Sequence, residues 1–169
     1  MSSYLYEARY GLAVAFALLV WITLEYQVGL HTTHIASHSI VTNFFAIIPI
    51  YLMWRALKHR RDVLEGGQVL WWQGITSGMV ISVVAGALAA PTMWFFTKFI
   101  NPGFYQAMID FAVASGEKRE IAEANFHPTV YAIQSTLSPV IMGFLTSVIL
   151  TAIARFQVER RTKSAANPS

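Results

Sequence analysis

The chain has 169 residues, of which 55% are hydrophobic and 12% are charged, and it contains no cysteine. A soluble domain carries about 25% charged residues, so half that fraction cannot cover this much apolar surface in water. The absence of cysteine excludes disulfides and thiolate-ligated metals. The net charge of +3 does not indicate nucleic acid binding, because the basic residues form short clusters beside apolar stretches. The composition predicts an integral membrane protein.

Stretches without charged residues define four predicted membrane spans. A helix needs about 20 apolar residues to cross the hydrocarbon core. Residues 66–97 and 124–154 contain no Asp, Glu, Lys or Arg, and residues 10–54 contain only Glu25. The stretch 10–54 is too long for one crossing, and its polar middle, GLHTTHIASHS, predicts a turn. We therefore expect a single all-α domain over residues 1–169, an integral membrane four-helix bundle made of two helical hairpins. The predicted spans are approximately 10–28, 40–57, 72–100 and 129–155.

The distribution of Lys and Arg predicts the orientation in the membrane. One side of the predicted bundle carries nine of them, and the other side carries three. Because Lys and Arg concentrate in cytoplasmic segments, we expect both termini in the cytoplasm. The nine are Arg9, Arg55, Lys58, Arg60, Arg61, Arg155, Arg160, Arg161 and Lys163; the three are Lys98, Lys118 and Arg119.

The connection between the third and fourth spans is expected to form a small extracytoplasmic helical cap. Asn101 and Pro102 are typical of a helix start, and Phe104 and Met108 follow at helical spacing. Two interpretations of residues 101–128 stay open. The connection either links the two spans as a plain helical hairpin or acts as a lid over a pocket.

Small residues recur at intervals of four in the third and fourth spans. This spacing keeps them on one face of each helix. Small side chains let helix backbones approach closely in lipid, where van der Waals contact drives association. The pattern predicts that the two spans pack on each other, or that part of the stripe faces another subunit. The predicted packing residues are Gly74, Gly78, Ser82, Gly86 and Ala90 in the third span, and Ser135, Gly143 and Ser147 in the fourth.

Four histidines fall on the predicted outer side. Three of them lie within eight residues of the first outer loop, and the fourth precedes the last span. Neutral imidazole is a common ligand of zinc, copper and nickel, so the cluster is a candidate site for a divalent metal. The alternative is an ordinary polar loop, and no other cofactor is expected. The candidate metal ligands are His31, His34, His38 and His127.

Glu25 is the single carboxylate inside a predicted span. A charge buried in the bilayer is costly unless it is neutralised, paired or near water, and such residues are functional candidates by default. The alternative is an interfacial glutamate that Gln27 or a nearby histidine caps.

Motifs for catalysis are absent from the sequence. It contains no nucleophile with a base at a suitable spacing, no phosphate-binding glycine loop and no HExxH pattern, so we do not expect an enzyme. We expect a non-catalytic accessory or structural membrane protein whose partners are the lipid bilayer and either further copies of itself or a larger membrane complex. The alternative is a protein that transports a small ion or solute, or senses metal or protons, through Glu25 and the outer histidines.

Two segments carry a family resemblance. The segment GMVISVVAGALAAPTMWFFTKFINPGFYQAMID, residues 78–110, and the segment SPVIMGFLTSVILTAIARF, residues 138–156, resemble a bacterial family of four-span inner-membrane proteins, the domain of unknown function DUF4199. The Ile100-Asn101-Pro102 turn is the most recognisable feature. The resemblance implies the four-span fold and a bacterial plasma membrane. It implies no site residues, because the family brings no established activity.

Overall fold

The computed structural model describes residues 4–166, apart from the side chains of Arg161 and of 163–166. Within this range the chain forms helices and no strand, so the predicted all-α class is confirmed. The α-helices are α1 (Tyr4–Gln27), α2 (His38–Asn43), α3 (Ile47–His59), α4 (Trp71–Phe95), α5 (Phe104–Ala114), α6 (Arg119–Asn125) and α7 (Pro128–Ala166).

Four helical segments are long and apolar enough to cross a membrane. They are Tyr4–Gln27, Ile35–Leu64, Trp71–Ile100 and Pro128–Arg160. Large apolar side chains such as Phe16, Ile141 and Met142 lie on the outside of the bundle, each at least 60% exposed. Such an apolar outer surface is compatible with contact to lipid rather than water, as in a membrane protein.

Helix α4 lies at the centre of the bundle. It packs along α7 and along α1, whereas α3 touches all three mainly near its own C-terminal end. We call the end of the bundle that holds the 29–39 loop and the 101–127 connection the histidine end. The opposite end, where α1 begins and where Arg60, Arg61 and Arg155 lie, is the arginine end.

The α4–α7 interface is built from small residues. A Cβ added to Gly74 would collide with Thr151, one added to Gly78 with Ser147, and one added to Gly143 with Ser82. The pairs step by four along α4 and backwards by four along α7, which is the register of antiparallel helices in close contact. A Cβ on Gly86 would lie 2.5 Å from the backbone oxygen of Thr136.

Three helical segments extend beyond their predicted spans, and α7 runs to Ala166, eleven residues past the predicted end of its span. Helix α1 begins at Tyr4, six residues before the predicted start, because Glu7 and Arg9 are accommodated in its first turns. The segment Ile35–Leu64 is interrupted by a 3₁₀ turn at Phe44–Ala46 and ends in a π-helical turn at Arg60–Leu64. Pro49 follows the 3₁₀ turn within the first turn of α3, a position that tolerates a missing N–H.

The connection between α4 and α7 contains the two short helices α5 and α6. Phe104 and Met108 of α5 are buried against Met93 of α4, Phe96 in the turn that follows α4, and Ile22 of α1. This packing fixes α5 over the histidine end of the bundle.

Candidate metal centre

The turn that ends α1 brings His31 back to Glu25. Gly29 adopts a φ of +81°, a left-handed conformation that favours glycine. The Leu30 amide donates to the Glu25 carbonyl at 2.9 Å, which is the bond that closes a Schellman-type C-cap. The chain therefore reverses within three residues, and the side chain of His31 returns to the last turn of α1.

The two oxygens of the Glu25 carboxylate have different surroundings. Oε1 accepts a hydrogen bond of 2.7 Å from the indole Nε1 of Trp21, one turn earlier on the same helix. Oε2 is buried and accepts no hydrogen bond from any described residue. It lies 3.5 Å from Nε2 of His31 and 3.7 Å from Nε2 of His38. One oxygen is thus fixed, and the other faces two imidazoles.

These three side chains form a compact donor set. One ligand atom from each of Glu25, His31 and His38 lies within 4.8 Å of the other two. Ligands of a tetrahedral zinc ion lie about 2.0–2.1 Å from the metal and hence about 3.3 Å from each other. If side-chain rotations moved the donor atoms by roughly 1 Å, all three atoms could coordinate one ion.

The set is nearly sealed from solvent. The Glu25 side chain is 3% exposed, that of His31 1% and that of His38 19%. Aromatic rings surround His31, with the Phe104 centroid at 5.1 Å and the Phe96 centroid at 5.6 Å. Access is therefore from the side of His38. Glu25 also lies at the C-terminal end of α1, where the helix dipole favours a positive charge.

Asn101 holds the second nitrogen of His31. Its amide Nδ2 lies 3.5 Å from Nδ1 of His31, and Asn101 is buried. Oxygen and nitrogen of an amide exchange by a simple flip, so Asn101 can accept from Nδ1–H when Nε2 binds a metal. Ligating histidines commonly have such a partner on their other nitrogen.

The structure brings together some of the sequence-predicted ligands. Glu25, His31 and His38 converge, whereas His34 and His127 are exposed and lie outside the group. Nδ1 of His127 accepts a hydrogen bond of 3.3 Å from the Thr129 amide, which caps the start of α7. His59, at the arginine end, stacks on Tyr6 with centroids 4.0 Å apart.

A second buried polar cluster lies at the arginine end, and the sequence analysis did not identify it. Glu7 is 0% exposed, and its Oε1 lies 2.8 Å from Nε and 2.7 Å from Nη2 of Arg60. The hydroxyl of Ser77 donates to the same oxygen at 3.1 Å. This ion pair joins α1, the end of the second segment and α4. The helical period offered a signal: Glu7 and Glu25 are 18 residues apart, which is five full turns, so they share one face.

A family model described as "Protein of unknown function (DUF4199)" matches residues 9–155. Comparison with curated proteins found no match. Comparison with solved structures found none either. The matched region includes most of the first and last long helical segments, all of the two between them, and the donor set of Glu25, His31 and His38, so the chain belongs to the DUF4199 family.

Proposed function

We propose that this chain is a non-catalytic membrane protein that binds one divalent transition-metal ion through Glu25, His31 and His38. One observation carries the proposal. Three donor atoms lie within 4.8 Å of one another, and two of them, Oε2 of Glu25 and Nε2 of His31, are buried without a hydrogen bond from any described residue. Such atoms are costly to bury unless a ligand satisfies them.

The donor chemistry favours zinc. Two imidazole nitrogens and one carboxylate oxygen suit Zn²⁺, Cu²⁺ or Ni²⁺, whereas Ca²⁺ and Mg²⁺ require mostly oxygen ligands. Zinc accepts a tetrahedral set of three protein ligands and one water. The open direction beside His38 leaves room for that fourth ligand.

The distribution of polar residues favours binding over conduction. Glu7 and Glu25 lie about 27 Å apart on one face of α1. The buried residues between them on that helix are Gly11, Val14, Ala15 and Ile22, none of which carries a polar side chain. Ion or proton transfer requires a chain of polar groups or water. The ion would instead tie the 29–38 loop to α1, which is a structural or sensory role.

The cellular setting is part of the same proposal. The protein lies in a bacterial inner membrane with both termini in the cytoplasm, so the metal centre faces outward. The nine-to-three distribution of Lys and Arg supports this orientation. We further propose that it acts as an accessory subunit, either with copies of itself or in a larger membrane complex. Isolation in mild detergent with a measurement of particle mass tests this; a bare monomer under all mild conditions would contradict it.

A zinc titration tests the site. The full chain is purified in detergent on a histidine-free affinity tag, stripped with a mild chelator and titrated with Zn²⁺ by calorimetry. One equivalent is expected to bind. His31→Ala and Glu25→Gln are expected to weaken binding at least tenfold, since each removes a ligand atom. His34→Ala and His127→Ala are the matched controls and are expected to bind like wild type.

The affinity should depend on pH in one direction. Imidazole must be neutral to coordinate a metal, and its ordinary pKa is about 6.5. Protons therefore compete with zinc for the two imidazoles as pH falls, so the zinc affinity should be lower at about pH 5.5 than at about pH 7.5. Equal zinc affinity at the two pH values would refute the site. So would an equal loss of zinc affinity, relative to wild type, in the His31→Ala and His34→Ala variants.

A further inference from the structure

A groove with basic and aromatic walls lies at the arginine end, between the start of α1 and the end of the second helical segment. Its volume is about 490 Å³, which is in the range of ligand-binding pockets. It shares no residue with the metal centre. Its lining includes Tyr6, Tyr51, Trp54, Arg55, Lys58 and His59.

Contacts within the protein hold the walls of the groove in place. Tyr51, Arg55 and His59 step by four along the second segment and therefore share one face. The guanidinium of Arg55 donates to the hydroxyl of Tyr51 at 3.4 Å. Tyr6 of α1 closes the other side, because its ring stacks on the imidazole of His59 with centroids 4.0 Å apart. Its hydroxyl lies 2.9 Å from that of Tyr10.

The lining of the groove carries an excess of positive charge. Arg55 and Lys58 are both exposed and are protonated at neutral pH. Asp62 also lines the groove, but Arg61 donates to both of its carboxylate oxygens, at 2.7 and 3.2 Å. Because a guanidinium already compensates that carboxylate, the charges of Arg55 and Lys58 favour an anion as the ligand.

The position of the groove along the helices places it at a membrane surface. Tyr6 lies in the first turn of α1, at the end of the first long segment. On the second segment, Ile47 is 62% exposed and lies one turn before Tyr51 on the same face. Apolar residues give way to aromatic and then to basic ones between Ile47 and Lys58, over about 16 Å of helix. Tyrosine and tryptophan favour the interface, so the groove lies at the depth of lipid headgroups.

We propose that this groove binds the phosphate-bearing headgroup of an anionic phospholipid. Basic pockets at the surface of a membrane protein attract such headgroups. The guanidinium of Arg55 matches the geometry of phosphate oxygens, and Lys58 adds a second cation. The acyl chains would lie along the exposed apolar face that contains Ile47, a contact that free phosphate cannot make. The proposal goes beyond metal binding and needs only that the arginine end lies at a membrane surface.

Native mass spectrometry with two competing lipids tests the proposal. The full-length chain in detergent receives equal amounts of phosphatidylglycerol, which is anionic, and phosphatidylcholine, which is neutral overall, with the same acyl chains. Wild type is expected to retain phosphatidylglycerol in preference by roughly tenfold, the order expected from two cations beside an anionic headgroup. Arg55→Gln/Lys58→Gln is expected to retain the two lipids equally.

A control variant separates the groove from the general positive charge of this end. Arg9→Gln/Arg160→Gln removes two charges from the same end of the bundle, at exposed positions outside the lining, and should keep the wild-type preference. If a melting curve shows that the double groove variant does not fold, Lys58→Glu replaces it and is expected to abolish the preference for phosphatidylglycerol.

Three results would overturn the proposal. The first is equal retention of the two lipids by wild type, and the second is an equal loss of preference in the groove variant and the control variant. The third concerns inorganic phosphate at millimolar concentration, which is not expected to displace phosphatidylglycerol because it lacks acyl chains. Displacement would assign the groove to a soluble anion instead of a lipid.

Discussion

Individual charged residues at the two ends of α1 serve different purposes. Arg60 and Ser77 lie within hydrogen-bonding distance of Oε1 of Glu7, so the negative charge of Glu7 is compensated within the protein. Trp21 donates a hydrogen bond to Oε1 of Glu25, and Oε2 of Glu25 faces the imidazoles of His31 and His38 rather than a guanidinium. The first arrangement fixes helices to one another, whereas the second leaves a coordination direction open for a cation.

The pair of Glu7 and Arg60 is expected to be essential for stability. Arg60→Ala leaves a fully buried carboxylate without its guanidinium, and breaking a buried ion pair in this way costs about 3–5 kcal/mol of unfolding free energy. The double variant Glu7→Gln/Arg60→Ala removes the uncompensated charge as well and should recover part of that loss. Thermal melting in detergent measures both, and a double variant that is no more stable than Arg60→Ala would contradict this explanation.

At the scale of elements, α4 and α7 depend on contact between small residues. The glycines at positions 74, 78 and 143 each lie against a hydroxyl-bearing residue on the opposite helix. No hydrophobic gain drives this association in lipid, so its strength depends on how closely the backbones approach. The second segment has no such stripe in residues 40–50, and none of these residues is buried, although Phe45 packs against the core.

Gly78→Leu is expected to lower the free energy of unfolding by about 1–3 kcal/mol, because even its Cβ would collide with Ser147. Leucine has the higher helix propensity, so a loss of stability cannot come from the helix itself. Val83→Leu, at a position 50% exposed on the same helix, is the matched control and should change stability little. Equal melting temperatures for the two variants would contradict the close contact.

Among the described residues, the arginine end of the bundle has more polar contacts between helices than the histidine end. Arg60 joins the second segment to α1 through Glu7, Arg61 donates to Gln157 of α7 at 3.2 Å, and Arg155 donates to the Val69 carbonyl at 3.0 Å. At the histidine end, Nε2 of His38 lies 3.7 Å from Oε2 of Glu25 and links the second segment to α1. A bound ion would strengthen that link.

The orientation of the bundle is testable because the chain has no cysteine. Ser37→Cys and Ser115→Cys at the histidine end should react with an impermeant thiol reagent in intact cells. Gln68→Cys and Thr162→Cys at the arginine end should react only after the membrane is opened. All four positions are exposed, so access to the reagent depends on the membrane alone. The reverse pattern would place the metal centre on the cytoplasmic side.

The sequence predicts the number and class of the helices well because the exclusion of charge from lipid is a strong physical constraint. It does not predict that α1 begins at Tyr4, before the predicted span, because Glu7 is buried by a partner 53 residues away. The sequence analysis counts Arg60 and Arg61 among the basic residues of the predicted cytoplasmic side, and that count does not reveal that they are only 3% and 2% exposed.

The candidate site could be predicted only in part. The histidine cluster and Glu25 are visible in the sequence, but spacing alone does not distinguish His34 from His31 and His38. The distinction comes from the left-handed turn at Gly29, which returns His31 to α1, and from the 3₁₀ turn at Ile35–Ser37, which precedes His38. Glycine at position 29 permits such a turn, but the sequence alone does not show which histidine the turn returns to α1.

X-ray absorption at the zinc edge tests the metal centre most directly, because it reports the ligands themselves. The zinc-loaded wild type is expected to show two imidazole nitrogens and additional oxygen ligands at about 2.0–2.1 Å. His38→Ala should remove one imidazole contribution, and His34→Ala should leave the spectrum unchanged. A spectrum with oxygen ligands only, or one that His38→Ala does not alter, would contradict the assignment of Glu25, His31 and His38 as the metal ligands.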